Sequence, residues 1–206
     1  MAKKTWAITL TLFVLGLSSC AKPPEKEISQ AEKAVESARE ASEDSTYAAT
    51  ELRRAEASLA ESQREIQTQK ERFAIMRSFD HSLELLARVV SEAETARQTA
   101  LEQKQAAREA AAERLEQAKE ALEKARTDLE AAPRGKGTKP DLQALSADLA
   151  GIQSQLQEME EQIEMEKFYQ ARDKGDSIIA AARDVSQEIQ TAQEMRAKIL
   201  AARRQH

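Results

Sequence analysis

DLQALSADLAGIQSQLQEMEEQI, residues 141–163, carries the pattern that decides the fold. Its apolar positions Leu142, Leu145, Leu149, Ile152, Leu156, Met159 and Ile163 alternate in steps of three and four. That a/d spacing lays one continuous seam along one face of an α-helix. Ninety residues earlier stand Leu52, Ala55, Leu59, Ser62, Ile66, Gln69 and Phe73, the same seam with two polar interruptions. The same shift aligns Ala60 with Ala150, Gln63 with Gln153, Gln67 with Gln157, Glu71 with Glu161 and Phe79 with Tyr169. We infer an internal duplication that blurs after Tyr169, where the second copy needs an insertion.

Between the copies, Ala111, Leu115, Ala118, Leu122, Ala125 and Leu129 form a second seam of alternating small and large residues. Small residues let helices approach closely, and no breaker interrupts residues 80–132, a helix of about 75 Å at 1.5 Å per residue. Neither proline nor glycine occurs between Pro24 and Pro133, so the whole stretch must be helices with few interruptions. Breaks are expected at Ser42-Glu43-Asp44-Ser45-Thr46, near Ser78-Phe79-Asp80, at Pro133–Pro140, and at Lys174-Gly175-Asp176-Ser177. Helices over 47–77 and 141–172 would run antiparallel along the two halves of the central one, because the connections are short. Ile28, Ala31, Val35 and Ala38, and Ile178, Ala182, Val185, Ile189 and Ala192, supply third faces. The expected class is therefore all-α: elongated antiparallel hairpins with coiled-coil seams, two three-helix units sharing a long central helix. Phe73, Phe79, Phe168 and Tyr169 fall near the turns, where rings could plug the ends of narrow seams.

Composition excludes more functions than it suggests. A third of the chain is charged, only 3% is aromatic, and the formal net charge is −5. Such a chain fills thin helical seams rather than a broad core, and it is poorly suited to nucleic acid. The two histidines, His81 and His206, have no HExxH pattern or cysteine partner, so no metal set is expected. Gly135-Lys136-Gly137-Thr138 lacks the order and the preceding strand of a phosphate loop. Glu158, Glu160, Glu161, Glu164 and Glu166 read as a solvated helix flank, without the burial that would split acid from base. No catalytic residue and no cofactor is expected. Arg134, Lys136 and Lys139, three cations without an acid at a hairpin tip, are candidate contacts for a partner protein or an anionic cell-wall polymer.

The start of the chain speaks to address. Lys3 and Lys4 precede an almost wholly apolar run, Ala7–Leu17, too short to span about 30 Å of hydrocarbon. Residues 1–19 are therefore expected to be a secretion signal. Leu17-Ser18-Ser19-Cys20 resembles the lipobox of bacterial lipoproteins, which implies cleavage between Ser19 and Cys20 and a diacylglyceryl group on the Cys20 thiol. Cys20 is the single cysteine, so no disulfide framework competes for it. Ala21, rather than an aspartate, follows it, which by the same resemblance implies the periplasmic face of the outer membrane. Loss of residues 1–19 removes Lys3 and Lys4 and no acid, moving the formal net charge from −5 to −7. The expected organisation is a signal over 1–19, a lipidated linker over 20–25, a first helical unit over 26–132 including the central helix, a Pro/Gly loop over 133–140 and a second unit over 141–206.

Ala21-Lys22-Pro23-Pro24, then Ile28-x-x-Ala31-x-x-Ala34, a Ser/Thr break, and Tyr47-Ala48-Ala49-Thr50-Glu51-Leu52-x-x-Ala55-x-x-x-Leu59 resemble the alanine-rich outer-membrane lipoproteins, which carry TPR-like helical hairpins. The likeness covers residues 20 to about 100 and recurs weakly over 140–192. It departs at Thr50, where that family often has proline, and in the length of the 101–132 segment. The resemblance implies no established activity. The expectation is a non-enzymatic, lipid-anchored spacer or interaction scaffold, held to the membrane through Cys20, docking another envelope component or a second copy of itself. The alternative is a TPR-like peptide-binding adaptor or accessory subunit of an envelope complex.

Overall fold

A computed structural model of the chain describes residues 22–43, 46–132 and 139–204. Among these residues there are five α-helices and no strand: α1 (Glu25–Ala41), α2 (Ala49–Glu71), α3 (Asp80–Glu130), α4 (Lys139–Glu164) and α5 (Phe168–Arg204), with a single 3-10 turn at Ala74–Met76. The chain divides into two compact units. The first holds α1, α2 and α3 up to Arg97; the second holds the 41–48 connection, α3 from Gln98, α4 and α5.

In the first unit α1 presents Ala31, Val35 and Ala38, at helical spacing, to Leu52, Ala55 and Ile66 of α2 and to Leu86, Val89, Ala93 and Ala96 of α3. The helices alternate in direction. Arg39 bonds Glu56, and Glu32 meets Gln63. Seven residues back along α1 are thus matched by seven forward along α2. Arg88 reaches Glu61 in the next antiparallel pair. The two polar members of the α2 seam are both bonded: the Ser62 hydroxyl donates to the Leu59 carbonyl at 2.7 Å, and the Gln69 amide donates to Glu65 at 2.7 Å. Polar groups at buried positions survive when so partnered.

In the second unit the expected α4 seam is the core: Leu145, Leu149, Ile152, Leu156 and Met159 are buried, with Leu142 and Ile163 partly so. They face Ala111, Ala118, Leu122 and Ala125 of α3 and Ile178, Ala182, Val185 and Ile189 of α5. Arg126 bonds Gln153 and Lys119 meets Glu160, again a matched step of seven along an antiparallel pair.

Four expectations need correction. The helix expected over 47–77 ends at Glu71, because Arg77 folds back and its guanidinium donates to the Lys70 and Arg72 carbonyls at 2.8 and 3.0 Å, while the Ser78 N–H donates to the Gln69 side chain. A side chain, not a glycine, satisfies the last turn. The break expected at Lys174–Ser177 is absent: α5 runs through Gly175, and the break lies at Met165–Lys167. There the Lys167 N–H donates to the Gln162 carbonyl and the Glu166 N–H to that of Ile163, a Schellman ending with Glu166 at φ 58°. Gly175 instead permits contact: a Cβ there would stand 2.9 Å from Met159 Cε and 3.0 Å from Arg114 Cβ. Phe79 and Phe168 do bury as plugs, at 5% and 3% exposure, whereas Phe73 is 81% exposed. Finally, Ala192 is exposed rather than part of the α5 seam. Lys104 opposite Glu166 and Arg114 opposite Asp176 set α5 parallel to α3, sixty-two residues on, which brings Ala192 level with the end of α3.

The two hairpins begin ninety residues apart, at Ala49 and Lys139. Their turns differ: α2 and α3 are joined by residues 72–79, α4 and α5 by residues 165–167. The second copy has the shorter turn.

Candidate functional site

Most residues to which the sequence assigns a role lie outside the described ones. Residues 1–19, Ser19, Cys20 and Ala21 are among these, as are Arg134 and Lys136. Lys139 opens α4, two residues ahead of the start expected at Asp141, with Pro140 in the first turn where a missing N–H costs nothing. The described chain enters α1 through Pro23 and Pro24, whose carbonyls accept from the Glu25 and Ile28 N–H groups at 2.9 Å. Four residues, Ala21 to Pro24, separate Cys20 from the start of α1 in the sequence.

The densest set of long-range polar contacts surrounds Lys104, in the second unit. Its ammonium lies 2.6 Å from Glu43 and 2.5 Å from Glu166. Glu166, then Glu43, push the Lys104 pKa up to about 12, and Lys104 in turn holds Glu166 below the ordinary glutamate range. The preceding residue, Gln103, accepts from the Ala48 N–H at 2.8 Å. Among the described residues, Glu43, Ala48 and Glu166 are the non-glycine ones with left-handed backbone, at φ 45°, 47° and 58°. That conformation costs roughly 1–2 kcal/mol for an L-residue. Two consecutive α3 side chains therefore hold all three strained positions.

Beside this clasp, the Tyr47 and Tyr169 rings meet with centroids 5.3 Å apart, tilted by 37°, and the Arg172 guanidinium covers Tyr169 at 5.5 Å. Tyr47 is 1% exposed, and burial raises its phenol pKa. The sequence offered little warning of this cluster, because Glu43, Lys104 and Glu166 are separated by about sixty residues each and belong to no motif. The glutamates expected to form a solvated flank are partly recruited: Glu158 pairs with Lys174, Glu160 with Lys119, and Glu166 with Lys104. His81 stays on the surface, 3.6 Å from Glu84.

A polar groove of about 640 Å³ runs between α3 and α5 in the second unit, lined by Gln117, Lys124, Arg183, Gln187, Gln190 and Glu194 among others. At its edge, hydrogen bonds from Lys124 and from Ser186 hold Asp128 below the usual carboxylate range. The groove has charges of both signs, amide side chains and two hydroxyls, those of Ser186 and Thr191. Among the described residues no group of three or more His, Cys, Asp or Glu side chains is arranged to hold a metal ion. No described helix is long and apolar enough to cross a membrane. Compared with known proteins, the chain matches no family model, no curated protein and no solved structure.

Proposed function

We propose that the protein is a non-enzymatic envelope lipoprotein, anchored through acyl chains on Cys20 to the periplasmic face of the outer membrane, whose helical units serve as a spacer or docking scaffold for another envelope component. The observation that carries this reading is the run Lys3-Lys4, Ala7–Leu17 and Leu17-Ser18-Ser19-Cys20, followed after four residues by helix. Two acyl chains are what stable anchoring requires, since a single chain binds membranes only reversibly. The polar, charge-paired helix surfaces suit a role of holding and contacting rather than of chemistry.

Cys20→Ala tests it directly. Metabolic labelling with an alkyne fatty acid should mark the wild-type chain and not the variant, and the variant should keep its leader. Normal acyl labelling or normal processing of Cys20→Ala would overturn the anchor.

The groove between α3 and α5 favours a second reading, in which the second unit is an adaptor that takes a polar peptide. Gln187 and Gln190 offer amide donors and acceptors, and Lys124, Arg183 and Glu194 offer charge selection. Arg134, Lys136 and Lys139 are proposed as further contacts, to a partner protein or cell-wall polymer.

A further inference from the structure

We propose that the α2–α3 turn, Arg72–Phe79, is a second membrane contact that dips into the same lipid surface that holds the acyl chains on Cys20. The inference rests on the anchor reading for the identity of that surface. Phe73, Ile75 and Met76 are 81%, 95% and 65% exposed, three large apolar side chains within four residues. Isolated exposed apolar residues are ordinary, but a contiguous cluster at a turn is not.

Nothing in the hairpin requires this cluster. The corresponding turn of the second hairpin closes in three residues, 165–167, and its aromatic, Phe168, is buried. The longer turn is also held in shape: Arg77 caps α2 from beyond it, Gln69 accepts from the Ser78 N–H, and Phe79 is buried in the core. The apolar tip therefore projects from a braced base.

Position and charge select the occupant. The α1–α2 register steps by seven from the Arg39–Glu56 pair to the Glu32–Gln63 pair. One more step sets Glu25 level with Lys70, so the turn lies at the end of the first unit where α1 begins. Cys20 precedes Glu25 by five residues, which reach at most about 17 Å. Lys70 and Arg72 stand beside the tip, Arg77 being turned back onto the end of α2, and no acid occurs from Arg72 to Phe79, although Glu71 and Asp80 stand just outside. An apolar tip with a basic rim, in a chain of net negative charge, matches an anionic lipid interface, where rings and aliphatic chains enter the acyl boundary and guanidinium groups meet phosphates.

The test uses the full-length, acylated chain carrying Trp6→Phe and Ile75→Trp, so that residue 75 bears the single tryptophan. It is reconstituted in vesicles of equal parts phosphatidylethanolamine and phosphatidylglycerol. Emission from residue 75 should shift to the blue and be quenched by brominated acyl chains. A tryptophan placed instead by Arg53→Trp, on an exposed part of α2, should stay quenchable by aqueous iodide. Adding Lys70→Glu and Arg72→Glu should reduce the lipid quenching. If the chain floats with the vesicles while residue 75 remains accessible to iodide, the turn is not a membrane contact and the anchor reading stands. If the chain carries no acyl group by mass yet shows lipid quenching at residue 75, the anchor reading falls and the turn survives. A blue shift without vesicles that grows with protein concentration would assign the turn to a second copy and overturn the proposal.

Discussion

Lys104 shows how one side chain can stand in for glycines the chain does not have. The left-handed positions Glu43 and Glu166 are held by its ammonium, and Ala48 by the neighbouring Gln103. Exposed ion pairs alone contribute little, but here one cation joins two connections whose backbones are strained. Lys104→Met, which keeps the aliphatic stem, should lower the stability of the second unit by about 1 kcal/mol at neutral pH, measured by urea unfolding. The pH dependence follows from the directions of the shifts. Glu166 is held below its ordinary range, so its contribution is present above the unfolded glutamate pKa and is lost as pH falls through the folded value. Lys104 is raised to about 12, so its contribution is complete below the unfolded lysine value of about 10.4 and is lost only as pH climbs through the raised one. Stability should therefore be level from about pH 6 to 9 and fall on acidification, and the Lys104→Met profile should lose part of that acid-side fall.

Helix ends and helix interiors divide differently from what glycine and proline placement suggests. α2 is closed by Arg77 and α4 by a Schellman turn with glutamate at its left-handed position, so neither end carries a residue type that marks it. Among the described residues Gly151 and Gly175, in turn, sit inside helices and do unlike things. A Cβ at Gly151 would meet nothing within 4 Å, so Gly151→Ala should stabilise by about 0.5–1 kcal/mol through helix propensity. Gly175→Ala gains the same propensity but presses on Met159 and Arg114, and overpacking of this kind costs about 1–3 kcal/mol. The net expectation is destabilisation by about 1 kcal/mol. Thermal unfolding followed by circular dichroism should show the two alanine variants moving in opposite directions. Met159→Ala should shrink the cost of Gly175→Ala in a double-mutant cycle, since it removes the atom nearest the added methyl.

Across the whole chain, the two units are built to one plan with unequal cores. Among the described residues the second-unit cluster buries twelve side chains larger than alanine, including Tyr47, Phe168 and Met159, and the first-unit cluster buries six. Each large buried side chain contributes roughly 1.5–3 kcal/mol, so the first unit has much the smaller hydrophobic drive. Amide hydrogen exchange read by mass spectrometry should accordingly show α1 and α2 exchanging before α4 and the buried part of α5. Equal protection in the two units would contradict this ordering. A lipid surface against the Arg72–Phe79 turn would raise protection at the end of α2 without altering α4.

The local pattern of residues was enough to specify that the chain is helical, where its seams lie and that α3 is long, because a period of three and four needs only near neighbours along one helix face. The α4 seam from Leu145 to Met159, the core positions Leu52, Ala55 and Ile66 in α2, and the uninterrupted stretch to Glu130 were legible for that reason. The contacts around Lys104, the glycine at a helix crossing, the exposure of Phe73 and the end of burial at Ile189 depended on which helices meet, and at what register. Those are settled by side chains some sixty residues apart in sequence and ångströms apart in space, a distance no local spacing encodes.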